Sequence, residues 1–268
     1  MVKYLITTSL LCLFLGAGFL WGVDIGQLLN FQSLIIVFGG LCLAIWLGFP
    51  ADRVRATVRG LNRAFRQEDF KKEEKRLLGQ ALGLARIYRI QGPIALQKAT
   101  SRIDNDFLRY GAMLVAEGYS ELSLYSALQR EYMKKNDAAS SQIQLIKTLA
   151  RLSPALGMAG TVISLMQVMQ HLGAEASLGP SLGLALSSTL YGILLANLLF
   201  LPASIKLQQY FSKRAALMRL IMDALVAMQK AEHPLRIAER LNSYELYCKI
   251  KEEEKSGVRL VRLKRRVA

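Results

Sequence analysis

Residues 152–205 read LSPALGMAGTVISLMQVMQHLGAEASLGPSLGLALSSTLYGILLANLLFLPASI, a run without a single Lys or Arg. On either side of the linker LGAEASLGP (172–180) lies an apolar segment, about Leu149 to His171 and about Ser181 to Ile205, each long enough to cross a bilayer core of roughly 30 Å as a helix. The rest of the chain repeats this arrangement. Residues 4–21 and 31–49 are two more apolar segments of spanning length, separated by WGVDIGQLLN, which holds one acid and no base. Linkers this short join antiparallel neighbours, so the chain is expected to form two hairpins and four spans.

The charge balance follows the same division. Of 35 Lys and Arg in 268 residues, one is Lys3, 19 lie from Arg53 to Arg151 and 15 from Lys206 onward. Basic residues are retained on the cytoplasmic side of a membrane, which places both base-free linkers outside and both termini inside. The formal charge of +15 is then the inward-facing surface beside anionic headgroups. Nucleic-acid binding is not supported, since no interleaved aromatic and basic motif and no zinc spacing is present. A cleaved signal is also disfavoured: Lys3 precedes an apolar run, but no convincing cleavage site follows and a second span stands close behind.

Between the hairpins, apolar residues recur at helical spacing, as in Leu77, Leu78, Ala81, Leu82, Leu84, Ala85 and Tyr88. Strand alternation is lacking. The chain therefore reads as all-α, with transmembrane residues 1–50 and 149–205, a cytoplasmic domain of short helices at 51–148, and a helical tail at 206–268 ending in a basic stretch. Breaks are expected at Gln91-Gly92-Pro93, at Gly118 and at His233-Pro234.

An enzyme is not indicated. The two histidines, His171 and His233, have no nucleophile or metal-ligand partner at useful spacing, and Cys12, Cys42 and Cys248 form no C-x-x-C pair. No cofactor is expected. Ion pumps and relays need a carboxylate near the bilayer midplane, and none of the four spans contains one. If ions cross here, another chain must supply that group.

The last two spans carry small residues at close spacing. Gly157 and Gly160 lie in the third, and Ser188, Gly192 and Ala196 fall four apart in the fourth, forming a stripe on which another helix can approach. Thr161 and Thr189 offer hydroxyls that either line a polar path or bond the preceding carbonyl of their own helix. Pro154 and Pro202 each free a backbone carbonyl, and are either hinges or helix ends.

These residues resemble a known family, the MotA/PomA subunit of bacterial flagellar stators within the MotA/TolQ/ExbB superfamily. SLIIVFGG at 33–40 closing with Phe49-Pro50 is similar to its second-span signature. PALGMAGTVI at 154–163, LGP at 178–180 and TLYGILLAN at 189–197 resemble its third and fourth spans, and QKAEHP at 229–234 with Arg236 resembles the segment that follows. The resemblance implies an A subunit of the inner membrane, five copies of which ring a pair of single-span MotB/PomB-type B subunits whose aspartate binds the ion. The translocated ion would be H+ or Na+, and its flow would turn the ring against the rotor protein FliG. By the same resemblance Thr161 and Thr189 face the ion path, and Pro154 and Pro202 match prolines needed for torque.

The expected rotor contact is a basic residue with an acid eight positions later. Arg89 fits the first place, Gln97 occupies the second in departure from the family pattern, and Glu131 matches another acid of the domain. From the residues alone, Arg89 reads as the solvated face of a helix. Two other functions stay open at this point, a TolQ/ExbB-like energy-transducing ring subunit and a non-conducting membrane scaffold. The first has a three-span pattern that two hairpins argue against.

Overall fold

Asn30 opens the first helix, its side-chain oxygen accepting from the backbone N–H groups of Gln32 (3.1 Å) and Ser33 (3.3 Å). The computed structural model describes residues 30–66, 70–170 and 175–240. The expected first span at 4–21 with Cys12, the preceding Lys3 and the linker acid Asp24 lie outside the described residues, as do His171 and the tail from residue 241 with Cys248. Every regular element among the described residues is a helix: α1 Phe31–Gly48, α2 Ala51–Phe65, α3 Phe70–Thr100, α4 Asp106–Ala116, α5 Glu121–Gln170, α6 Glu175–Leu194, a π-helical turn Leu195–Phe200, α7 Leu201–Gln229 and α8 Pro234–Arg240. Among the described residues, three stretches are long and apolar enough to cross a membrane, within Phe31–Gly48, Glu121–Gln170 and Ser181–Gln229.

Helix ends follow from local chemistry. Helix α1 stops at Phe49-Pro50, and Pro50 turns the chain into α2 by accepting from the N–H of Arg53 (3.0 Å) and Val54 (3.3 Å). Helix α3 is broken internally at Gly92, with φ 81° and ψ −173°, a conformation open to glycine and followed at once by Pro93. Asn105 caps α4 through the N–H groups of Phe107 and Leu108. Gly118 then ends α4 at φ 78°, its N–H reaching Val115 O while Tyr119 N–H reaches Leu114 O. The breaks expected at Gly92 and Gly118 are thus present.

The end of α7 repeats that turn with a different residue. Ala231 N–H bonds Met228 O (2.9 Å) and Glu232 N–H bonds Ala227 O (3.1 Å), with Ala231 at φ 51°. An alanine here keeps a Cβ in the left-handed region, where glycine or asparagine is usual. Pro234 starts α8, suited to a first helical position because its missing N–H is not needed there.

The expectation of short helices between the hairpins is corrected. Helix α5 runs unbroken for 50 residues, and α3 covers 31 with its break at Gly92. The third apolar segment is not a separate helix beginning near Leu149 but the later part of α5. The hydropathy changes near residue 149, but between Glu121 and Ser153 there is neither glycine nor proline to interrupt the backbone.

The chain divides into two units. One comprises residues up to Leu61 together with Gln142–Lys206, and the other Asn62–Ser141 together with Leu207 onward. The second has the larger apolar core, in which Leu96, Phe107, Leu108, Leu124, Leu128, Ile221, Leu225 and Ile237 are fully buried. Each such side chain contributes about 1.5–3 kcal/mol by leaving water. In this unit Lys230 pairs with Glu121 at 2.7 Å, and Gln229 donates to Tyr119 O at 2.6 Å, tying the end of α7 to the turn after α4.

Candidate functional site

In the first unit the small residues of α5 and α6 face one another. A Cβ placed on Gly157 would lie 2.8 Å from Ser188 O and 3.1 Å from Thr189 Cα, and one on Gly160 would meet the Ser188 side chain at 2.7 Å. The two backbones therefore touch, which glycine at both positions permits. The Ser188 hydroxyl lies between Gly157 O (3.1 Å) and Ala185 O (2.8 Å), bonding across the crossing and along its own helix. Of the stripe predicted from the sequence, Ser188, Gly192 and Ala196 are all buried, and the helix that approaches Ser188 and Gly192 belongs to the same chain.

Helix α1 joins this bundle through contacts that sequence reading did not single out. The Ser33 hydroxyl, fully buried, donates to Leu184 O at 3.0 Å, and Asn30 N–H donates to the Tyr191 hydroxyl at 3.0 Å. A Cβ on Gly40 would meet Leu156 Cδ2 at 2.7 Å. Serine within an otherwise apolar helix was the available signal for Ser33. Its partner carbonyl, 151 residues away, has no sequence signature.

Both threonines bond their own helices. Thr161 Oγ1 donates to Met158 O at 2.6 Å and Thr189 Oγ1 to Ala185 O at 3.5 Å, the longer bond being the weaker. Their hydroxyl oxygens keep lone pairs for a cation or water, so the geometry accommodates either expectation. Buried Ser153 and Ser164 do the same, donating to Leu149 O and Gly160 O at 2.8 Å. Among the described residues no group of His, Cys, Asp or Glu could hold a metal ion.

The two prolines sit in different settings. Pro154 lies inside α5, which continues through it. Pro202 lies at the start of α7, immediately after the π-helical turn, where Leu201 N–H bonds Ala196 O. Proline cannot bond the carbonyl four residues before it and its ring crowds that group, here Leu198 O. Widening the preceding turn by one residue relieves the crowding, and π turns of this kind recur at functional positions in helices.

In the second unit, Arg89 and Gln97 are both exposed and lie on opposite sides of the Gly92 break. The break means that their spacing of eight is not a spacing along one regular helix. Glu131, half-buried, pairs with Lys135 at 3.8 Å. Among the described residues no hydrogen bond or ion pair joins these three side chains to one another.

Residues 99–220 match the MotA/TolQ/ExbB proton channel family. Motility protein A of Treponema pallidum is 29% identical over 227 residues, 85% of this chain and 87% of that protein. Chemotaxis protein PomA of Vibrio alginolyticus is 27% identical over 224 residues, 83% of this chain and 87% of that protein. The fold is similar to that of a chain in the flagellar MotAB stator complex from Bacillus subtilis, with a TM-score of 0.75 at 23% identity, covering 90% of this chain and 93% of that one.

Proposed function

From the match of residues 99–220 to the MotA/TolQ/ExbB proton channel family, we propose that the chain is a member of it and is the A subunit of an ion-driven flagellar stator in the bacterial inner membrane. One observation carries the reading furthest. The apolar parts of α5 and α6 pack backbone to backbone at Gly157 and Gly192, present hydroxyls at Thr161 and Thr189, and contain no carboxylate along the spans expected at 149–171 and 181–205. Such a bundle is half of an ion path and needs an acid from a partner. The relatives named motility protein A and PomA support assigning that partner as a MotB/PomB-type B subunit.

In this reading five copies surround two B chains, with four spans per copy and both termini in the cytoplasm. The ion, H+ or Na+, passes the B-subunit aspartate beside Thr161 and Thr189. Each charge crossing supplies about 2.3 kcal/mol per 100 mV, enough to bias a packed element between two arrangements. Pro154 and Pro202 serve as the positions that change shape, and Arg89, with Glu131, faces the rotor protein FliG. Gln97 leaves the acid expected eight residues after Arg89 unfilled.

The test is co-expression with a single-span protein bearing a membrane aspartate. Stable co-purification, and ion flux abolished when that aspartate becomes Asn, are the expected results. Ion conduction by this chain alone would overturn the shared-carboxylate mechanism. A chain that oligomerises but carries no ions, either alone or with such a partner, would instead be a scaffold. Swimming measured in sodium-free medium, with and without a protonophore, assigns the ion.

A further inference from the structure

The second unit holds a cleft none of whose lining residues has a part in the stator reading. It lies where the starts of α3 and α4 meet α5 and α7, and has a volume of about 230 Å³, room for roughly eight waters at ~30 Å³ each. Its floor is apolar, formed by Leu77, Phe107, Leu217 and Ile221, all buried. Its walls carry both charges, Arg76, Lys135 and Arg214 against Glu73, Asp104 and Asp106. Two amides, Gln80 and Asn105, complete the lining used below. An apolar floor with a few convergent polar groups is the usual make-up of a small-molecule site.

The ion pairs of the cleft are of two kinds. Arg76 holds Asp104 at 2.6 Å, and Arg109, outside the cleft, holds Asp106 at 2.6 Å, so both acids have a close partner. Lys135 and Arg214 are matched more loosely. Lys135 Nζ stands 3.8 Å from Glu131, and Arg214 stands 3.9 Å from Glu73, both beyond hydrogen-bonding distance. One nitrogen of Arg214 also donates to the Tyr210 hydroxyl at 2.9 Å, a neutral partner that leaves the guanidinium charge uncompensated. The two cations therefore keep donors for an anion. Asn105, whose oxygen caps α4, keeps its amide N–H groups as well.

We infer that the cleft binds a soluble phosphorylated sugar, with its phosphate on Lys135 and Arg214, its hydroxyls on Glu73, Asp104, Gln80 and Asn105, and its C–H face on the apolar floor. A phosphate monoester brings close to two negative charges and three acceptor oxygens near neutral pH, more than single carboxylates offer at nearly 4 Å. The arginine fork takes two of those oxygens at once. Carboxylates that would repel a bare anion accept hydrogen bonds from hydroxyl groups, as an acid does from ribose. A sugar phosphate thus accounts for acids and bases in one cleft, whereas inorganic phosphate accounts for the bases alone. Lys135 lies 14 residues before Leu149, about 21 Å of helix, which keeps the site away from a headgroup in the bilayer. The inference requires that the segment from 149 is embedded in the membrane, but not ion flow, torque or ring stoichiometry.

The test titrates the full chain, purified in detergent, with glucose 6-phosphate, ribose 5-phosphate, glucose and inorganic phosphate by calorimetry. At least one sugar phosphate is expected to bind with a Kd below about 1 mM, and about tenfold or more tighter than glucose or inorganic phosphate. Lys135→Gln and Arg214→Gln should each weaken it about tenfold, and Glu73→Ala should narrow the gap between sugar phosphate and inorganic phosphate. Met218→Trp fills the cleft while keeping every charge, and should abolish binding with the unfolding temperature of the ligand-free chain retained. Binding of neither sugar phosphate overturns the proposal. So does an equal affinity for inorganic phosphate, which would make the cleft a plain anion site, and so does binding that survives Met218→Trp, which would place it elsewhere. Displacement of the sugar phosphate by phosphatidylglycerol added to the micelle would also overturn it, by giving the site to a lipid headgroup. Ion flux and rotation enter none of these outcomes, so a failure here leaves the stator reading standing.

Discussion

A methyl group on Gly192 would stand 2.6 Å from the carbonyl oxygen of Ser153 and 3.1 Å from Gly157 Cα. Both obstructing atoms are backbone, so no rotamer change can make room and the two helices must separate. Gly192→Ala is expected to destabilise the purified chain by about 1–3 kcal/mol. Gly39→Ala and Gly183→Ala, with nothing within 4 Å, should each stabilise it by roughly 0.5–1 kcal/mol through higher helix propensity. Thermal unfolding in detergent measures all three, and a neutral Gly192→Ala would mean that the crossing is looser than described.

Pro202→Ala returns an N–H to a helix that now widens to avoid the proline ring. The variant should unfold at a higher temperature, since an internal proline costs about 3 kcal/mol, yet under the stator reading it should lose torque while still assembling. Rotation of tethered cells and recovery of the intact complex are the two measurements. Normal rotation in Pro202→Ala, and in Pro154→Ala, would remove the hinge role from both positions.

Ala231→Gly should stabilise the second unit. The alanine holds φ 51°, and a Cβ in that region costs about 1–2 kcal/mol. Part of that gain is offset by the greater freedom of glycine in the unfolded chain, leaving roughly 0.5–1 kcal/mol. Urea unfolding of the full chain reads the difference, and a lower midpoint would show that the Cβ makes a contact worth more than its strain.

Arg89→Glu reverses an exposed charge one residue before Ile90 and three before the Gly92 break. Membrane insertion and assembly should be unchanged, because exposed charges rarely alter stability by more than about 0.5 kcal/mol. Swimming speed should fall severalfold if Arg89 faces the rotor. Unchanged swimming would leave Arg89 as a solvated residue.

Much of this architecture was legible because bilayers impose long-range order on sequence. A stretch of 54 positions from Leu152 to Ile205 without Lys or Arg has few physical meanings, and Gly92 and Gly118 announce backbone conformations that other residues avoid. What escaped reading shares a different physics. Ala231 adopts a glycine conformation without being glycine. The length of α5 was hidden because hydropathy changes within it, while the hydrogen-bond ladder is indifferent to whether its surroundings are water or lipid. Ser33 and Leu184 meet only because two helices pack, and the π turn before Pro202 is a response to the proline that its neighbours do not encode. The small residues Gly157, Gly160, Ser188 and Gly192 were legible as an approach surface, but not which helix would approach.

The buried serines of the apolar bundle carry one further consequence. Ser33, Ser153 and Ser164 each donate to one backbone carbonyl, while the Ser188 hydroxyl has two carbonyls within reach. A relay of protons by successive hydroxyl reorientation needs groups that can turn, and the first three are each engaged with a carbonyl. Under the stator reading, a copy without its B subunit would then lack both the acid and a chain of freely turning hydroxyls, and is expected to leak few protons.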